Sequence, residues 1–72
     1  MPLYNNLSGN SNVYAYEIGI DYIRVQFNGT AKVYQYRYVK AGSYHVEQMK
    51  YLAQLGRGLN SYIMKNVRLS YD

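Results

Sequence analysis

Tyrosine carries much of the apolar surface of this chain, which has eleven Tyr against one Phe and no Trp. Each buried Tyr ring brings a hydroxyl that must find a partner or reach water, because an unpaired buried hydroxyl costs about 1 to 3 kcal/mol. The fold is therefore expected to set many rings at the margin of its core with their tips outside. That core is small, since 72 residues suffice for one domain. The absence of Cys removes disulfides, thiol nucleophiles and Cys-based zinc sites, so burial alone must hold the chain together.

Residues 1–11 show neither a period of 2 nor one of 3.6 and are rich in Asn, Ser and Gly, which predicts a flexible arm outside the packed unit. From 12 to 72 the pattern is that of a single domain. Val13 to Ile18 alternates loosely, Gly19 interrupts, and Asp21 to Phe27 alternates cleanly, with Ile23, Val25 and Phe27 on one face and Tyr22, Arg24 and Gln26 on the other. Asn28-Gly29 is a hairpin signal, both residues tolerating the positive φ that a tight turn demands. A third strand over Lys32 to Val39 returns directly, with Tyr34, Tyr36 and Tyr38 on one face and Val33, Gln35 and Arg37 on the other.

After Ala41-Gly42 the period changes. Ser43 is a candidate cap for a helix whose apolar residues Val46, Met49, Leu52 and Ala53 fall at helical spacing, with Glu47 and Lys50 toward solvent and Gly56 ending it. A shorter helix is expected from about Asn60, as cap, to Val67, with Ile63 and Val67 on one side. A meander buries one face, so these two helices should cover Ile23, Val25 and Phe27. The predicted class is α+β: a three-stranded antiparallel meander covered on one face by two C-terminal helices. Tyr34 and Tyr36 should face the helices, because the reverse would bury Arg37.

In several spaced positions the chain resembles the KTSC domain, a small domain named for its occurrence at the C-terminus of some lysyl-tRNA synthetases. The resemblance runs through Ser11-Asn12-Val13, Tyr16-Glu17, the run Ile23, Val25, Phe27, then Tyr34, Tyr36 and Val39. It continues in Ala53, Gly56, Leu59, Asn60 and Ile63, with Tyr71 as a closing match. The chain departs from the family pattern at Leu55, where a small polar residue is usual, and at Lys40, where Pro is often found. The resemblance implies a fold and, by its attachment to a tRNA-charging enzyme, an association with RNA; it implies no catalytic activity.

Two residue groups are candidate sites. Tyr22, Arg24, Gln26, Gln35 and Arg37 share the uncovered sheet face, where rings interleaved with guanidinium groups suit either a protein interface or the stacking of bases beside neutralised phosphates. The segment Gly56-Arg57-Gly58, with Asn60, has two readings: a phosphate cradle of inward N–H groups, or a helix C-cap followed by a tight turn. The first and third strands leave open edges, and the first, guarded only by Glu17, is the expected pairing edge for a dimer.

Catalysis has little to build on. His45 is the single histidine and the acids number four, so a general acid-base pair would have to combine His45 with Glu47, whose two-residue spacing on a helix does not bring side chains together. No catalytic residue, cofactor or metal is expected. Eight Lys plus Arg against four Asp plus Glu give a net charge of +4, which modestly favours acidic partners. Apolar runs are too short for a membrane span or a signal-peptide core, so a soluble cytoplasmic protein is the expected setting. The functional expectation is a non-catalytic binding module whose Tyr/Arg face meets a protein partner or itself. The alternative is binding of RNA or single-stranded nucleic acid through Arg24, Arg37 and the Arg57 loop, and an enzyme using His45 is the third reading.

Overall fold

The clean alternation of the second strand sets the frame for the others. In the computed structural model, which describes residues 1–7, 9 and 12–72, that strand is β2 (Tyr22–Phe27), flanked by β1 (Val13–Ile18) and β3 (Val33–Arg37) in the antiparallel order β1-β2-β3. Ile23 pairs with Ile18 on one side and Tyr36 on the other, and Val25 with Tyr16 and Tyr34, so one face is apolar from edge to edge. Ile23 and Val25 are fully buried. In β1 the register shifts between Val13 and Ala15. This bulge admits Tyr14 as an extra residue and flips the phase of alternation, which is why the first strand shows only a loose period.

The chain leaves β3 at Arg37, two residues before the expected end, because the Tyr38 N–H bonds to the Asp21 carbonyl and turns into a short helix, α1 (Tyr38–Ala41). Helix α2 (Ser43–Leu55) follows, and it lays Val46, Met49 and Ala53 on the sheet. Gly42 occupies its N-cap, so Ser43 is the first helical residue and caps nothing. Gly56 closes α2 in the left-handed conformation at φ 85°, its N–H bonded to the Leu52 carbonyl. Helix α3 (Leu59–Tyr62) then runs into a π-helical turn (Ile63–Val67).

Gly58 caps α3, leaving Asn60 inside the first turn rather than at the cap. Leu59, Ile63 and Val67 are all buried at a strict spacing of four. A regular helix of 3.6 residues per turn would let that stripe drift off the sheet, whereas the wider π turn keeps it on one side. Burial of each such aliphatic side chain contributes about 1.5 to 3 kcal/mol. The layer arrangement is the expected one, a meander with its helices on one face and Tyr36, at 1 % exposure, directed into the core between them. Tyr16, Tyr34, Tyr38, Tyr62 and Tyr71 pack at its margin, half-buried.

Three expectations require correction. The Asn28-Gly29 pair does not take a positive φ at both residues: Gly29 does, at 82°, while Asn28 does not, and the pairing of β2 with β3 stops at Gln26 and Val33. Residues 28–32 form the connecting loop, in which side chains offer further partners, Gln26 Nε2 donating to the Thr30 carbonyl and the Lys32 N–H to Thr30 Oγ1.

The N-terminal segment does not stand outside the packed unit. Leu3 bridges to Ala15, the Tyr4 N–H bonds to the Tyr14 carbonyl, and the Tyr16 N–H bonds to the Pro2 carbonyl. Tyr4 itself lies in the core at 6 % exposure, and its hydroxyl accepts the Leu59 N–H at 3.3 Å. Ser8, Asn10 and Ser11, and with Ser11 the opening of the KTSC resemblance, lie outside the described residues.

The edge of β1 is accordingly occupied by residues 2–4 and is not a free template for a dimer. The opposite edge is met by the C-terminal residue, the Asp72 N–H donating to the Gln35 carbonyl at 2.8 Å. Open strand edges invite further pairing, and here the two terminal segments lie against them.

Candidate functional site

Alternation places Tyr22, Arg24 and Gln26 on the face of β2 that turns away from the helices. The register then sets Arg37, Gln35 and Val33 opposite them, and Glu17 beside Arg24 from β1. All five residues singled out on the sheet are thus brought onto one surface. Arg24 is held from three sides: its Nε donates to Gln35 Oε1 at 2.8 Å, its Nη1 donates to Glu17 Oε2 at 3.4 Å, and its guanidinium lies 4.8 Å from the Tyr22 ring centre. The Tyr22 hydroxyl donates to the same Glu17 oxygen at 3.3 Å. Gly19 makes room for that ring, since a Cβ at Gly19 would stand 2.0 Å from Tyr22 Cε2.

The network continues across β3. Gln35 Nε2 donates to Asp72 Oδ2 at 2.9 Å, and Arg37 Nε donates to the same oxygen. These two donors, Gln35 first, hold the Asp72 carboxyl below the usual carboxylate range. Each guanidinium of the face therefore has a carboxylate beside it, and the surface is balanced in charge. The net positive charge resides instead in Lys32, Lys40, Arg57, Lys65 and Arg68, which have no ion pair among the described residues. Met1 and Val33 rim a shallow concavity of about 460 Å³ over Glu17, Arg24, Gln35 and Asp72.

The second candidate is spoken for by the chain itself. Gly56 caps α2, its carbonyl accepts the Leu7 N–H at 2.7 Å, and a Cβ on it would meet the Asn5 Cβ at 2.8 Å. The first N–H of α3, that of Leu59, goes to Tyr4. Arg57 and Gly58 are exposed beside this contact and Asn60 is half-buried. The N-terminal segment thus lies where a phosphate cradle would need open N–H groups.

His45 and Glu47 are not brought together. His45 Nδ1 lies 2.7 Å from the Tyr62 hydroxyl, its ring edge-on to Tyr44 and Tyr62. Glu47 pairs with Lys50 at 2.8 Å and accepts the Tyr38 hydroxyl, and these partners, Lys50 first, keep its carboxyl low. Among the described residues no group of three or more His, Cys, Asp or Glu side chains could hold a metal ion, and no helix is long and apolar enough to cross a membrane.

A further concavity escapes sequence reasoning altogether. On the helix side of the sheet, between the loop of residues 28–32 and the C-terminal helix, a cleft of about 470 Å³ is walled by Phe27, Tyr34, Tyr36 and Tyr71. The rings stand edge to face, Phe27 to Tyr34 at 5.5 Å, Tyr34 to Tyr71 at 4.7 Å and Tyr36 to Tyr71 at 6.2 Å. Tyr34 and Tyr36 announced themselves as a shared face, but only the returning tail adds Tyr71, and only the π turn and the residue that follows it add Met64 and Arg68.

No protein-family model matches the chain, and no curated protein or solved structure is significantly similar to it. The resemblance to the KTSC domain accordingly rests on the residues that carry it.

Proposed function

We propose that this chain is a non-catalytic binding module whose outer sheet face, centred on Tyr22, Arg24, Gln26, Gln35 and Arg37, meets a protein surface, either that of a second chain or its own. The observation that carries this reading is the charge-balanced network joining Glu17, Arg24, Gln35, Asp72 and Arg37. A surface that neutralises phosphates must offer cations whose charge is not already matched. Here both guanidinium groups are matched and oriented in advance, which suits hydrogen bonding to a polypeptide and lowers the cost of ordering long side chains on docking. The shallow concavity with its apolar rim of Met1 and Val33 supports the same reading.

The test places a photo-crosslinking residue at Gln26 or Gln35, with Gln54 on α2 as the control position, in cells and in the purified chain. A discrete protein adduct, or a dimer of the chain, formed from Gln26 and Gln35 and lost in Tyr22→Ala and Arg24→Ala is the expected result. Adducts equal from all three positions, or adducts to RNA in place of protein, would overturn the proposal.

A further inference from the structure

We infer that the tyrosine-walled cleft on the helix side of the sheet binds a planar aromatic ligand that carries an anionic group. The site is distinct from the outer face, and the inference does not depend on the protein-binding reading. Its volume of about 470 Å³ falls within the roughly 300 to 1,000 Å³ of small-molecule sites, which are mostly apolar with a few polar groups that fix orientation.

The polar groups point to what the ligand must offer. Tyr36 is only 1 % exposed, yet its hydroxyl has no hydrogen-bond partner among the described residues. No fully enclosed side-chain oxygen or nitrogen among those residues lacks a partner, so this hydroxyl keeps an open side, and the opening that Tyr36 lines is the cleft. Burial, with Tyr34 and Tyr71 adding to it, pushes the Tyr36 phenol up to about 12, which keeps it a neutral donor toward an incoming acceptor. The Asn60 side chain, also in the wall, makes no hydrogen bond within the described residues. A purely aliphatic occupant would leave both groups unpaired, at about 1 to 3 kcal/mol each.

Charge and ring geometry complete the specification. Arg68 lines the cleft, and Lys32, outside its lining, sets its Nζ 4.9 Å from the Tyr34 ring centre and 5.9 Å from that of Tyr71. Neither cation has an ion pair among the described residues, and no carboxylate lines the cleft. Rings standing edge to face present both faces and edges to a planar guest, the geometry in which aromatic pairs attract. An anion without a plane would leave these walls unused. Nucleotides and simple aryl phosphates share the required chemistry.

The experiment is an NMR titration of the intact chain with four probes: AMP, phenyl phosphate, adenosine and inorganic phosphate. The expected result is saturable shifts of Thr30, Met64, Arg68 and Tyr71 amides with AMP or phenyl phosphate, at an affinity about tenfold or more above adenosine and inorganic phosphate. AMP alone would mark the nucleotide as the source, and phenyl phosphate alone the simpler aryl anion. The double variant Lys32→Gln and Arg68→Gln, both exposed positions whose loss leaves the core intact, should weaken binding about tenfold. Tyr36→Phe should weaken it with an unchanged fold. Absence of shifts for both AMP and phenyl phosphate at about 10 mM would overturn the inference. So would binding unaffected by the double variant, or shifts confined to the outer sheet face.

Discussion

Replacement of Tyr4 by Ala removes a ring that is 6 % exposed in the core, and it leaves the Leu59 N–H without the hydroxyl that accepts it. Truncation of a large buried aromatic residue costs about 3 to 5 kcal/mol, to which the orphaned N–H adds about 1 kcal/mol. A chain of this size typically has a total stability of about 4 to 11 kcal/mol, so Tyr4→Ala should take away a third of it or more. Tyr4→Phe keeps the ring and should cost only the hydrogen bond, about 1 kcal/mol. In urea denaturation followed by far-UV circular dichroism, the two variants should separate by about 3 to 5 kcal/mol, with slopes near that of the parent chain. Near-parental stability of Tyr4→Ala, within about 0.5 kcal/mol, would refute the argument that the N-terminal segment belongs to the core.

Two further predictions test separate parts of the structure. Because partners hold Asp72 and Glu47 below the usual carboxylate range, their stabilising effect is fully present above that range and is lost as pH falls through their lowered folded values. Melting temperature should therefore drop at acid pH, and the drop should be shallower in Asp72→Asn; identical acid profiles for the two chains would count against the Arg37 and Gln35 contacts. Gly56→Ala forces a Cβ to within 2.8 Å of the Asn5 Cβ at a φ of 85°, whereas Gly29→Ala at a φ of 82° meets nothing within 4 Å. Both should lower the denaturation midpoint through backbone strain of about 1 kcal/mol, and Gly56→Ala should lower it further; equal losses would mean that Asn5 gives way freely.

The outer face and the cleft differ in how far residues alone reveal them. Tyr22, Arg24 and Gln26 share a side because of a period of 2 within one strand, and Gln35 and Arg37 join them once the next strand is antiparallel and in register. What alternation does not disclose is their state of charge: Arg37 is matched by a carboxylate 35 positions away, and Gln35 by the same group 37 positions away. That matching turns a basic-looking surface into a balanced one.

Patterns that repeat within a few residues were determined by the chain as written: the faces of β2 and β3, the buried stripe of α2, the glycine that ends it, and the two-layer α+β arrangement that these amphipathic pieces require. Such patterns report local geometry, which each segment carries wherever it is placed. Tertiary structure alone decided the rest. Tyr4 enters the core by bonding to Leu59, 55 positions away, Asp72 closes on β3, and Tyr71 completes the cleft. The terminal segments have no period to betray them, because single anchoring residues hold them in place, and an anchor is recognisable only once the surface that receives it exists.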